Sequence, residues 1–151
     1  MDKLNKSLYF SFIWLSVLLF VVFYPMLISI YVFLPLLIGV MGYVFIQGIE
    51  KGKTRYIFVA IIYFINLEVN LSLPFFLIFI SSLLVYIIFY HSLIHFNKCR
   101  ICRPILSVML INAVYLGSLL SYDFIFQTNS VVLDTILFYS LIVDLLLVVI
   151  L

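Results

Sequence analysis

Charge is what this chain has least of. Asp, Glu, Lys and Arg together make up 9% of its 151 residues, where soluble domains carry about 25%. Apolar residues make up 68%, and the mean hydropathy is +1.38. A water-soluble domain is thereby excluded. Apolar runs of about 18 residues or more with few charges read as transmembrane helices. Alternating segments of about ten residues, the mark of a transmembrane barrel, occur only at 66–73, which excludes a barrel. Alanine is scarce as well. Ala60 and Ala113 stand against 16 Phe and 11 Tyr, the pattern of an A/T-rich gene that writes its apolar positions as Ile and Phe. Aromatic abundance is therefore weak evidence of binding and fits lipid-facing surface and interfacial belts.

Motifs of soluble enzymology are missing too. There is no Gly-rich phosphate loop, no Ser-His-Asp pattern and no H-E-x-x-H. No catalytic residues and no cofactor are expected. The basic patches are too small and too near the bilayer for nucleic acid, and suit orientation of the chain and contact with anionic lipid.

The eight basic residues fall in three patches: Lys3 and Lys6; Lys51, Lys53 and Arg55; Lys98, Arg100 and Arg103. Between them lie apolar stretches at 7–49, 56–97 and 104–151. One span needs about 20 residues, so each stretch holds two helices and a turn. The expectation is an all-α, polytopic integral membrane protein with six transmembrane helices in three hairpins. They fall at roughly 8–24, 27–48, 56–73, 75–96, 104–121 and 131–150, in one domain covering 1–151. The positive-inside rule puts the patches and both termini in the cytoplasm. The apolar run after Lys6 is too long for a signal peptide and no small-x-small cleavage site follows it, so it reads as an uncleaved first helix. Pro25 and Pro74 fit outer turns. Pro35 falls inside the second helix and should kink it. Gly39 and Gly42 would permit close backbone packing there. Residues 121–130 form the longest outer loop.

Two acids are out of place. In "NLEVNLSLP" (66–74), polar Asn66, Glu68, Asn70 and Ser72 alternate with apolar residues. A regular helix would put Asn66 and Asn70 on one side and Glu68 and Ser72 roughly opposite; an extended chain would point all four one way. Glu68 stands 13 residues past Arg55, about 20 Å of helix rise, within a hydrocarbon core of about 30 Å. It is either an interfacial turn residue reaching headgroups or part of a buried site for a ligand or partner. Asp144 sits at similar depth in "LIVDLLLVVIL", where it either reaches the inner headgroups or faces a bundle interior. All basic residues lie in the patches, so neither acid has a cation of its own. Protonation, water, a bound cation or another protein would have to compensate them. Glu68, Asn70, Ser72 and Asp144 are the candidate partner- or ligand-binding residues.

A third feature is "YHSLIHFNKCRICRP", with His91, His95, Cys99 and Cys102. One uninterrupted helix would stack all four on one face. Four ligands strung along about 16 Å of helix cannot close around one ion, so a plain cytoplasmic loop is expected rather than a metal site. Cytoplasmic thiols there would be reduced.

The run "PLLIGVMGYVFIQGIEKGKTRYIFVAIIYFINLEVNLSLPFF" resembles the rod-shape-determining membrane protein MreD family, over about residues 30–95. Pro35-Leu36-Leu37, the Lys51–Arg55 turn, Glu68 and Ser72 stand where that family has a Pro-Leu-Leu helix, a basic turn and a helix ending in an acid and small polar residues. Asn70 and Pro74 depart from the pattern, which often has glycine there. The resemblance implies a non-catalytic scaffold of the bacterial inner membrane that serves cell shape and peptidoglycan synthesis beside an MreC-like bitopic partner. The rival expectation is transport, either as the substrate-binding membrane component of an importer or as a small proton-coupled carrier.

Overall fold

The computed structural model describes residues 2–31, 33–95, 101–127 and 132–150, with backbone alone for 2–8, 10, 90–95 and 132–134. They form six helices: α1 Asp2–Ile30, α2 Ile38–Glu50, α3 Thr54–Asn70, α4 Leu77–His95, α5 Cys102–Phe126 and α6 Val132–Ile150. The described residues contain no strand. Two helices, over Ser11–Ile30 and Cys102–Phe126, are long and apolar enough to cross a membrane.

The second helix departs most from expectation. No turn forms at Pro25; α1 runs through it to Ile30. Pro25 forgoes one ladder bond, and the nearby Val22 carbonyl is taken by Asn66 Nδ2 of α3 at 2.6 Å. The break comes instead at 31–37, and α2 begins only at Ile38. Pro35 therefore precedes the helix rather than kinking it, in keeping with its bias against helical geometry at the residue before. At 13 residues, α2 is about 20 Å long and is completed by the non-helical connection. At the other end of the chain, α5 continues to Phe126, so most of the long outer loop expected at 121–130 is helix.

Consecutive helices do not simply pair as three hairpins. Among the described residues α1 packs on α3, not on α2, and α3 barely touches α4. The hub is α2, which contacts α3, α4, α5 and α6. Its glycines allow this. A Cβ on Gly39 would lie 2.4 Å from Asn112 Nδ2 and 2.7 Å from Val108 Cγ1, and one on Gly42 would lie 2.9 Å from Ile111 Cδ1. The small-residue stripe read in the sequence thus lets α5 approach the α2 backbone. Ile38, Phe45, Ile46, Tyr63, Phe64, Ile78, Ile111 and Leu119 fill the core around it.

Two helix ends share one stop signal. The Lys53 N–H donates to the Gly48 carbonyl at 2.9 Å, and the Leu73 N–H to the Glu68 carbonyl at 2.9 Å. Both close a Schellman turn. Its left-handed position is Gly52 (φ 60°) after α2 and Ser72 (φ 52°) after α3. At the basic end Arg103 pairs with Glu50. There, too, Arg55 stacks over the Trp14 ring, 5.7 Å from its centroid.

Candidate functional site

Buried polar side chains build two helix starts of the same design. α2 begins three residues after Pro35 and α4 three residues after Pro74. In both, the residue just before the helix is left-handed: Leu37 at φ 52° and Phe76 at φ 64°. Neither is a residue type that favours this region, so each turn must be held from outside. The first N–H groups of a helix have no partner within it, and in hydrocarbon no water replaces one. In both cases a carboxylate from another helix supplies it.

Glu68 caps α4. It is 1% exposed. Its Oε2 accepts the Phe76 N–H at 2.7 Å and its Oε1 the Ile78 N–H at 2.9 Å. Both carboxylate oxygens are used, and the negative group sits at the positive end of the helix dipole. Asp144 caps α2 and is fully buried. Its Oδ2 accepts the Gly39 N–H at 2.7 Å and, more weakly, Asn112 Nδ2–H at 3.4 Å. Gly39 and Ile78 each stand four residues after their proline, so the two caps are homologous in geometry although the acids come from different helices.

Each acid takes hydrogen bonds from the chain's own backbone. The chain before α2 is clamped further. Tyr24 Oη–H donates to the Pro35 carbonyl at 2.9 Å, and Tyr63 Oη–H to the Leu36 carbonyl at 2.7 Å. The Leu36 N–H donates to Ser140 Oγ at 3.0 Å. Non-helical backbone is thus satisfied by α1, α3 and α6, as its burial requires.

The other candidates divide. Asn70 Nδ2–H donates to the Asn66 carbonyl at 2.7 Å and to Asn66 Oδ1 at 2.8 Å, so this pair ties α3 to α1 on the side away from Glu68. Ser72 acts through its backbone as the left-handed stop of α3 and is exposed. Glu68 and Asp144 serve different helices and do not form one site. A small groove of about 220 Å³ runs past Ile61, Phe64, Ile65, Glu68, Phe76 and Phe79. Because the carboxylate is turned onto α4, the groove offers apolar wall rather than charge.

In the third patch, His91 and His95 belong to the last turns of α4, while their side chains and Cys99 lie outside the described residues. Cys102 opens α5 and is disulfide-bonded, not the reduced thiol expected of a cytoplasmic loop. Among the described residues no three His, Cys, Asp or Glu groups come together as a metal site.

Sequence reasoning missed Tyr24, Tyr63, Asn112 and Ser140. Ser140 carried a usable signal, because it shares a helix face with Asp144 at i, i+4. The tyrosines carried none, being lost among the other aromatics.

Compared with known proteins, the chain matches no family model, no curated protein and no solved structure.

Proposed function

We propose that this protein is a non-catalytic, multi-pass scaffold of the bacterial inner membrane. Its six helices would span the bilayer with both termini inside, and it would act by holding other membrane proteins, as the resemblance to MreD implies. One observation carries the reading: Glu68 and Asp144 take backbone N–H groups of the chain's own helix starts, whereas α1 presents a long apolar surface to its surroundings. Phe12, Leu15, Leu19 and Phe23 are all exposed and recur at spacings of three and four along one face. Among the described residues α1 packs on α3 alone. A helix held on one side only is suited to take a partner helix on the other, where van der Waals fit drives association in lipid.

The test is co-purification from the native host, with a tag at the N-terminus, mild crosslinking and gentle detergent. The scaffold reading expects a stoichiometric bitopic protein with a large periplasmic coiled coil, or wall-synthesis enzymes. It also expects their loss when Phe12, Leu15, Leu19 and Phe23 are replaced together by Ala while the chain stays inserted. A co-purifying pair of ATPase subunits would replace it with an importer component.

Transport is the second reading, favoured by one feature. Both α2 and α4 start on non-helical, side-chain-capped connections, as the broken helices of many carriers do, although here the two starts do not form one site. It would be marked by substrate flux in vesicles and by retention of activity in the α1 surface variant.

A further inference from the structure

We propose that Asp144 and Asn112 hold one small monovalent cation, a sodium ion or a proton, beside the N-terminus of α2. The two helix starts are alike in backbone, yet their acids are not used alike. Glu68 spends both oxygens on α4 N–H groups. Asp144 spends Oδ2 on Gly39 and Asn112; its Oδ1 makes no hydrogen bond, though the Val40 N–H also faces the carboxylate. Asn112 repeats the pattern. Its Nδ2 donates to the Val108 carbonyl at 3.0 Å and to Asp144 Oδ2, while its Oδ1 also lacks a donor. Asp144 is 0% and Asn112 4% exposed. Turning the amide over gives no relief, because its Nδ2 would then forfeit both acceptors.

Two buried acceptors on hydrogen-bonded side chains ask for something positive or hydrogen-bearing beside them. Charge points the same way. A helix N-terminus supplies roughly half a positive charge, which leaves about half of a carboxylate's charge uncompensated in hydrocarbon, where that is costly. The groups facing Asp144 do not supply the rest. Tyr24 of α1 and Tyr63 of α3 lie within electrostatic reach of it, with Tyr139 of α6 beside Tyr24, and the Tyr24 and Tyr63 hydroxyls point to carbonyls. The basic groups described belong to the opposite end, where Arg103 is paired with Glu50. One carboxylate and one amide oxygen are hard ligands, suited to a proton or an alkali cation rather than a soft transition metal. The inference stands apart from the scaffold reading.

The experiment uses the full chain in lipid nanodiscs, with the melting midpoint read by circular dichroism. Sodium chloride is exchanged for N-methylglucamine chloride at constant ionic strength and pH 8.5. In a second series without sodium, the pH is lowered from 9 to 5.5. Sodium occupancy gives a saturable rise of about 3 °C or more. Proton occupancy gives a rise on acidification and no sodium response. Either response must vanish in Asp144→Asn, whose new amide still offers an oxygen to the Gly39 N–H. The sodium response must vanish too in Asn112→Leu, which removes one of the two oxygens and keeps the Asp144–Gly39 bond, whereas an acid response, carried by the Asp144 carboxyl, must remain there. A wild-type midpoint flat to both cations, a response that persists in folded Asp144→Asn, or a sodium response that persists in folded Asn112→Leu overturns the proposal.

Discussion

Asp144 Oδ2 lies 2.7 Å from the backbone nitrogen of Gly39, 105 positions earlier in the chain. This contact joins α6 to the first turn of α2. It accounts for an acid deep in an apolar helix, for a glycine four residues after a proline and for a helix of only 13 residues.

Gly39 has no room for a side chain. A methyl there would lie 2.4 Å from Asn112 Nδ2 and 2.8 Å from Asp144 Oδ2. Gly39→Ala should destabilise the fold by about 1–3 kcal/mol, the usual cost of overpacking. Reversible unfolding in mixed micelles would read this; an unchanged or raised stability would mean that α2 and α5 are further apart.

Glu68→Gln keeps one acceptor for α4 and turns an amide N–H2 toward the other backbone N–H. We expect a loss of about 1–3 kcal/mol, the cost of a buried donor left unmade. Glu68→Leu, which removes both acceptors, should lose more. Thermal unfolding of the two variants checks the order, and equal losses would argue against a two-oxygen cap.

Ser72→Gly should stabilise. Ser72 sits at φ 52°, a region that costs an ordinary residue roughly 1–2 kcal/mol and glycine little. Because the glycine also gains freedom in the unfolded chain, the net gain should be about 0.5 kcal/mol. The comparison is built in, since Gly52 fills the same position after α2.

Tyr63→Phe removes the donor to the Leu36 carbonyl and should cost about 1 kcal/mol. Tyr24→Phe acts on the neighbouring Pro35 carbonyl. The two hydroxyls clamp one short segment, so the double mutant should show coupling rather than simple addition. An additive pair would mean that the segment is rigid without them.

The helical class was legible because composition alone decides it, and the short turn at Lys51–Lys53 because basic residues and Gly52 mark it. Glu68 and Asp144 stood out in the sequence as acids within apolar runs, and both are buried. Their role was not legible, since nothing local links Glu68 to Phe76 across a turn, or Asp144 to Gly39 across almost the whole chain. The start of α2 was misjudged for a related reason. Residues 27–37 are as apolar as any helix, and only the side chains of Tyr24, Tyr63 and Ser140, brought from three other helices, make the non-helical path affordable. Pro35 and Pro74 held the recoverable clue: each is followed after three residues by a helix start, and reading Pro35 at a turn, like Pro74, would have placed the break before α2.

The most direct test of the capping scheme is hydrogen–deuterium exchange in nanodiscs, followed on peptides covering 36–41 and 76–81. In the wild type both segments should be protected. In Asp144→Ala the first should lose protection while the second keeps it, and in Glu68→Ala the reverse should hold. Fast exchange at both sites in the wild type, or variants that leave their own helix start protected, would contradict the account.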